Sequence, residues 1–519
     1  MGSQLVFMGA NIVFFYFTFF LYFYRAKFFN FYRQIMKPQT YKKTAFTIAL
    51  FFTICSVSAQ FEALRFPKDT FSTDTLQVNT AQTKTQVIYK AYKQIAYVGK
   101  PADVNYQSLD VYVPLRVGAN TVDASNAPII LYILSENFMS VSAGADAQAR
   151  TQPQTTTAKA LNSEQAQVAL AQGFVVVVPA CRGSEIRNAN GQFTGKAPAS
   201  IVDLKAAVRY IRHNRGVLPG NTNRIVALGC GSGGGLAALL GVSGNNSLYT
   251  PYLQELAAAQ TTDNIFAVAC YAPNIDVEHA DMAYEWQFGT VPLKKTLVNQ
   301  NISRQLIALY AGYVESLALQ GKDGFGRITV ENLQKYLLIH YIFPAAEEFL
   351  NQLTAEKQKA YLAENPWILY SNKKVSFSFN DYVLHVGRSK SVPAFDGIDL
   401  RQPETQLFGA PGTNARHFTA FTQQLTTGNK QAVVDKELLK IAGMMNPMNF
   451  VEVTQNCAQH WWLRNSSNNN EIPLTPMIQF ATSLENNQKS VNCRLNWNSE
   501  NCSDAQAEKL MLWVLGISF

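Results

Sequence analysis

Two absences frame this chain. Residues 1–59 contain no acidic side chain, and no histidine follows His460. Charge is sparse throughout: 15% of residues are Asp, Glu, Lys or Arg against 47% hydrophobic, within 519 residues. That balance excludes a disordered chain and leaves room for one large domain with an insertion, or for two domains. The formal charge of +8 is local. Arg25, Lys27, Arg33, Lys37, Lys42 and Lys43 all lie in the acid-free segment, and 44 bases less these six leave 38 against 36 acids. A nearly neutral body gives no electrostatic reason to expect nucleic acid as a partner.

Cysteine is also scarce. No CxxC pair and no Cys/His cluster at ligand spacing occurs, so neither a metal centre nor a cofactor is expected. Beyond Cys55 the chain keeps Cys181, Cys230, Cys270, Cys457, Cys493 and Cys502. An even number permits disulfides without revealing their pairing. No internal repeat is visible.

The N-terminus carries two apolar runs. After Met36 come a basic stretch ending Lys42-Lys43, an apolar run from Thr44 to Val57, and Val57-Ser58-Ala59. This is the order of a secretory signal, with cleavage expected after Ala59 and a secreted or periplasmic product. The earlier run, Leu5 to Tyr24, has the length of a membrane span. Residues 1–35 are expected to precede a true start at Met36; the alternative is a membrane anchor, and the membrane is a partner only through this leader.

From Ile129 onward, buried strand-like runs (Ile129–Leu134, Val175–Val178, Asn223–Leu228, Ile265–Cys270) alternate with helical periodicity. One helix is expected to be capped by Ser200 with Asp203 three residues on, and another to start near Leu236. The alternation stops after Trp286. It resumes with His460–Arg464, a helix over Pro473–Leu484, the strand Val491–Trp497 and a last helix. The expectation is an α/β core over 60–286 and 431–519, split by a helical and loop-rich insertion over 287–430.

Between strand and helix lies Gly229-Cys230-Gly231-Ser232-Gly233-Gly234-Gly235. A G-x-S-x-G nucleophile elbow occupies such a place, with its serine on a tight turn facing a helix N-terminus. Counting from Ile225 puts the nucleophile position at Gly231, flanked by Gly229 and Gly233. A shifted register, Cys230-x-Ser232-x-Gly234, keeps a serine but needs one extra residue in the strand or turn.

The stretches Asn190–Asn214 and Glu278–Trp286 resemble bacterial tannases and related feruloyl-type esterases of the α/β-hydrolase superfamily, and the likeness extends over roughly residues 90 to 500. The family elbow, G-T-S-[AS]-G-G, also lays its serine on Gly231. The family acid segment, R-x-G-x-x-D-R-D, lays its triad acid on Asn469 and its second Asp on Glu471. The family W-x-x-x-H pattern, begun at Trp497, lays the base on Asn501. The resemblance therefore implies the α/β-hydrolase fold with no intact triad, Ser232 and Glu471 being the fallback residues. The loop Ser135-Glu136-Asn137-Phe138 lacks an HGGG-type oxyanion run. Two lid segments, Lys390–Asp396 and Glu404–Gly409, resemble those that face gallate-like acids, so the likeness implies ligand contacts from Lys390, Glu404 and Glu471. The expected function is an inactive or strongly impaired esterase homologue holding a small phenolic ester or acid; the alternative is an active carboxylic-ester hydrolase using Ser232.

Overall fold

Apolar runs that are hydrophobic at every position need cover on both faces, and one sheet supplies it. A computed structural model describes residues 64–79, 84–142, 155–156, 161, 163–453, 455–502 and 507–519. The expected leader, with its signal-like segment and Cys55, lies outside them. Strands β1 (Ser72–Asn79), β2 (Lys84–Ala96) and β3 (Ser108–Val117) come first. They are followed by β4 (Ile129–Ile133), β5 (Val175–Pro179), β6 (Ile225–Cys230), β7 (Ala267–Tyr271), β8 (His460–Ser466) and β9 (Ser490–Asn496). The spatial order is β1-β2-β3-β5-β4-β6-β7-β8-β9, with the short piece Asn120–Thr121 added beside β3. Pairing is antiparallel from β1 to β5 and parallel from there to β9.

The helices used below are α1 (Glu164–Ala171), α2 (Ala199–His213), α3 (Ser232–Val242), α4 (Ala280–Phe288), α5 (Gln300–Leu317), α6 (Pro403–Leu407), α7 (Leu474–Asn486) and α8 (Ala507–Ser518). Alternate residues of β6 enter different cores. Ile225 and Ala227 join the cluster under α2, α3 and α7, while Val226 and Leu228 join the one under α1 and α8. Period-two alternation into two apolar layers explains why these strands read as unbroken hydrophobic runs. A mostly parallel sheet with helices on both faces and these crossovers is the expected α/β-hydrolase fold.

Two local expectations are corrected, and three strands are added. Periodicity gives no signal for antiparallel β1, a largely exposed edge without a buried run, whereas β3 is buried from Ser108 to Pro114. Helix α2 starts at Ala199 with Pro198 at its N-cap, not Ser200. Asp203 is not a capping carboxylate but a buried one. It accepts from the Arg182 guanidinium at 2.8 and 2.9 Å and from Gln107 Nε2 at 2.9 Å. Helix α3 starts at Ser232 rather than near Leu236, so the glycines lie inside it. Their low helix propensity is overridden by packing: a Cβ on Gly233 would lie 2.7 Å from the carbonyl oxygen of Ile133.

Between α4 and β8 the chain forms α5, α6, further helices such as Phe343–Gln352 and Phe379–Val386, and two hairpins with strands of two or three residues. Leu333, Tyr336, Phe395 and Phe408 from this stretch join the same buried cluster as α2 and α3. The inserted segment thus shares the main core.

Candidate active site and ligand pocket

The turn from β6 into α3 sits at the C-terminal edge of the sheet. Gly231 is its apex, with φ 57° and ψ −124°. That conformation is costly for residues with a Cβ. An ideal Cβ on Gly231 would have nothing within 4 Å. The turn is anchored by Gly231 N–H donating to the Tyr271 carbonyl (2.9 Å) and Asn274 N–H donating to the Gly231 carbonyl (3.1 Å). A side chain here would stand on a strained turn at a helix N-terminus and project into free space, the placement an elbow nucleophile requires.

Ser232 is the first residue of α3 and is 7% exposed. Its Oγ donates to the Ser135 carbonyl at 3.0 Å and accepts from Phe138 N–H at 3.2 Å. None of its partners among the described residues is a histidine. The ladders flanking β6 run from Ile129↔Ile225 to Ile133↔Gly229, and from Ala267↔Val226 to Tyr271↔Cys230, without a register shift. The ladders thus show no bulge in β6 that would take up the extra residue of the shifted register.

A disulfide joins Cys230 to Cys502, with Cα atoms 5.9 Å apart. It ties the residue before Gly231 to the residue after Asn501, bringing two positions far apart in sequence to one edge. The loop carrying Asn501 is also fastened to the loop after β8. Ser466 Oγ donates to the Ser499 carbonyl (2.6 Å), and Asn498 N–H donates to Ser467 Oγ (3.1 Å). Asn469 is buried in that second loop. Its Oδ1 accepts from the N–H groups of Glu471 (3.0 Å) and Ile472 (3.1 Å), and its Nδ2 donates to Asn465 Oδ1 (2.9 Å). Glu471 itself is exposed.

Glu404, in the first turn of α6, is 3% exposed. Its Oε1 accepts from Asn274 Nδ2 at 2.8 Å, while its buried Oε2 has no hydrogen-bond partner among the described residues. Burial pushes its carboxyl above the usual range, opposed by the nearby charge of Lys390. Lys390 is half-buried, with its ammonium 4.1 Å from the centre of the Phe395 ring. Through Asn274, Glu404 is two hydrogen bonds from the Gly231 carbonyl. Phe395 and Phe408 are fully buried core residues rather than stacking surfaces. Asn274 escaped sequence reading because nothing in Pro273-Asn274 signals a bridge to a residue 130 positions away.

The histidines are dispersed. His279 pairs with Asp276 (2.7 Å) and stacks on Tyr313, and His417 pairs with Asp396 (2.9 Å). His340 lies 3.5 Å from Asp323, and His385 lies beside Trp367. His213 ends α2 and His460 opens β8. A separate cleft of about 690 Å³, lined by Arg182, Phe193, Lys196, Arg416 and Glu437 among others, includes none of Gly231, Lys390 or Glu404.

The family described as BD-FAE matches residues 123–310. No curated protein matches the chain. Among solved structures, a tannase from Fusobacterium nucleatum is 30% identical with a TM-score of 0.74, over 88% of this chain and 99% of its own. The tannin acyl hydrolase from Lactobacillus plantarum is 30% identical with a TM-score of 0.76 over the same shares. A tannin acyl hydrolase solved with ethyl gallate is equally similar, at 30% and 0.76. With 30% identity across 99% of each of these relatives, the chain belongs to the tannase family of α/β-hydrolase-fold proteins.

Proposed function

We propose that this chain is an exported tannase relative that has lost acyl-transfer chemistry and keeps a pocket for phenolic acids or their esters. The observation that carries the reading is Gly231. Serine hydrolysis needs an Oγ at the strained apex, a base to take its proton and a carboxylate to orient that base. The apex bears no side chain, and by resemblance to the family motifs the base and acid positions fall on Asn501 and Asn469. Asparagine accepts no proton near neutral pH and carries no charge. Loss of the whole triad in a serine protease costs about a millionfold in turnover, with ~10³–10⁴ over water surviving through binding and oxyanion contacts.

The ligand half of the reading rests on Glu404, Lys390 and Glu471. Leaving the buried Oε2 of Glu404 unbonded costs on the order of 1–3 kcal/mol, which a phenolic O–H would offset by donating to it. Tannin acyl hydrolases have been solved with 3,4-dihydroxybenzoate and with ethyl gallate, which supports an acid or ester of this class as the ligand here.

Treatment with a fluorophosphonate probe tests the first half by intact mass. The reading expects no adduct on folded protein, and an adduct abolished by Ser232→Ala would overturn it in favour of a Ser232 esterase. Calorimetric titration with gallate tests the second half, and absence of heat at millimolar ligand would remove it.

A further inference from the structure

Lys390 and Glu471 are long, flexible side chains on two different loops, so any fixed spacing between them must come from the backbone. The structure supplies a device for that. Tyr284, on α4, is fully buried. Its hydroxyl donates to the Asn470 carbonyl at 2.8 Å and accepts from the N–H groups of Ser389 and Lys390, both at 3.1 Å. One donated and two accepted bonds exhaust a hydroxyl's capacity. A single oxygen thereby pins the residue before Glu471 to the backbone of Lys390.

Two further contacts tighten the clamp. Ser389 Oγ donates to the same Asn470 carbonyl at 2.6 Å. The Arg388 guanidinium, in a fully buried ion pair with Glu285, donates to the carbonyls of Lys390 (2.7 Å) and Ser391 (3.0 Å). Lys390 is thus held at both its N–H and its C=O. The Tyr284 ring is fixed by Phe288, with centroids 4.9 Å apart, and by Phe395 edge-on at 6.0 Å.

We propose that Tyr284, with the parallel bond from Ser389, is a positioning residue that sets the separation of Lys390 and Glu471 and so selects acids bearing ring hydroxyls. The inference rests on the phenolic-ligand reading above. Without the hydroxyl the two loops lose their common anchor. Contacts to ring hydroxyls then weaken, while apolar contacts to the ring remain.

The test titrates the full chain, Tyr284→Phe and Ser389→Ala with gallate and with benzoate, which has no ring hydroxyl. The wild type is expected to prefer gallate. Tyr284→Phe is expected to cut that preference about fivefold or more, the scale of one hydrogen bond, with benzoate affinity unchanged. Ser389→Ala, at an exposed position, is expected to cut it about twofold, as for a weaker bond. Equal weakening of both acids, or an unchanged ratio in the variants, overturns the inference alone and reduces Tyr284 to a structural role. Should Tyr284→Phe not fold, the Ser389→Ala ratio decides. A wild type that binds neither acid overturns the phenolic-ligand reading and this inference with it.

Discussion

At the scale of single residues, Gly231 leaves open space where an elbow nucleophile would stand and has no side chain to fill it. On the proposed reading, Gly231→Ser alone is expected to leave hydrolysis of a chromogenic phenolic ester at background. Gly231→Ser with Asn469→Asp and Asn501→His is expected to exceed the single variant about a hundredfold, the lower range for a positioned general base. Equal rates would mean the three positions do not form a triad. The acid position has a polar neighbour. Asn465 has a buried Nδ2 without a partner among the described residues, but its Oδ1 also accepts from Ser466 N–H (2.9 Å), so turning the amide towards an aspartate at 469 would give up that bond. Glu404 yields a second prediction. Its carboxyl titrates above the usual range, so gallate affinity that depends on the carboxylate falls as pH drops through that raised value. Glu404→Gln should bind gallate about tenfold more weakly, within the range for a charged hydrogen bond. Its affinity should no longer change over that interval.

At the scale of elements, the elbow and the two loops beside it are held by connections that strand and helix propensities do not encode. The Cys230–Cys502 bridge closes a separation of 272 residues. Cys502→Ser is expected to lower stability by about 2–4 kcal/mol in denaturant unfolding, and reduction of the wild type should do the same. Agreement between variant and wild type under oxidising conditions would show the bridge is not formed. Arg388→Met removes one member of a buried ion pair and leaves Glu285 unpaired, which costs about 3–5 kcal/mol. Denaturation midpoints check this. Much at this scale was legible beforehand. The runs at Ile129, Val175 and Ile265 are strands because every position is apolar, and the glycine cluster marks a strand–helix turn. Where α2 and α3 begin was not legible, because Asp203 and Gly233 answer to Arg182 and Ile133, residues distant in sequence.

At the scale of the whole molecule, the inserted segment and the core meet at Asp281. Burial pushes this carboxyl up to about 7, reinforced by the Asp396 charge. Backbone N–H bonds from Phe395 (2.7 Å) and Asp396 (3.0 Å) work the other way. A raised folded value means the folded state holds this proton more tightly than the unfolded chain does. The stabilisation is therefore complete below about pH 4 and is lost as pH rises towards about 7. Asp281→Asn should become progressively more stable relative to wild type across that window, by up to about 1.4 kcal/mol per pH unit. A constant difference would contradict the assignment. The sequence by itself determined the α/β alternation, the place of the elbow and the absence of a histidine after His460, since these are matters of local pattern and residue type. Only the tertiary structure decided that Gly231 stands at a positive-φ apex with open space before it. The same holds for the Cys230–Cys502 bridge bringing the loop of Asn501 to the edge that carries the elbow, and for Asn274 and Tyr284 tying the inserted loops to the sheet edge. Those facts depend on which distant backbone atoms approach one another, and no local pattern of side chains records that.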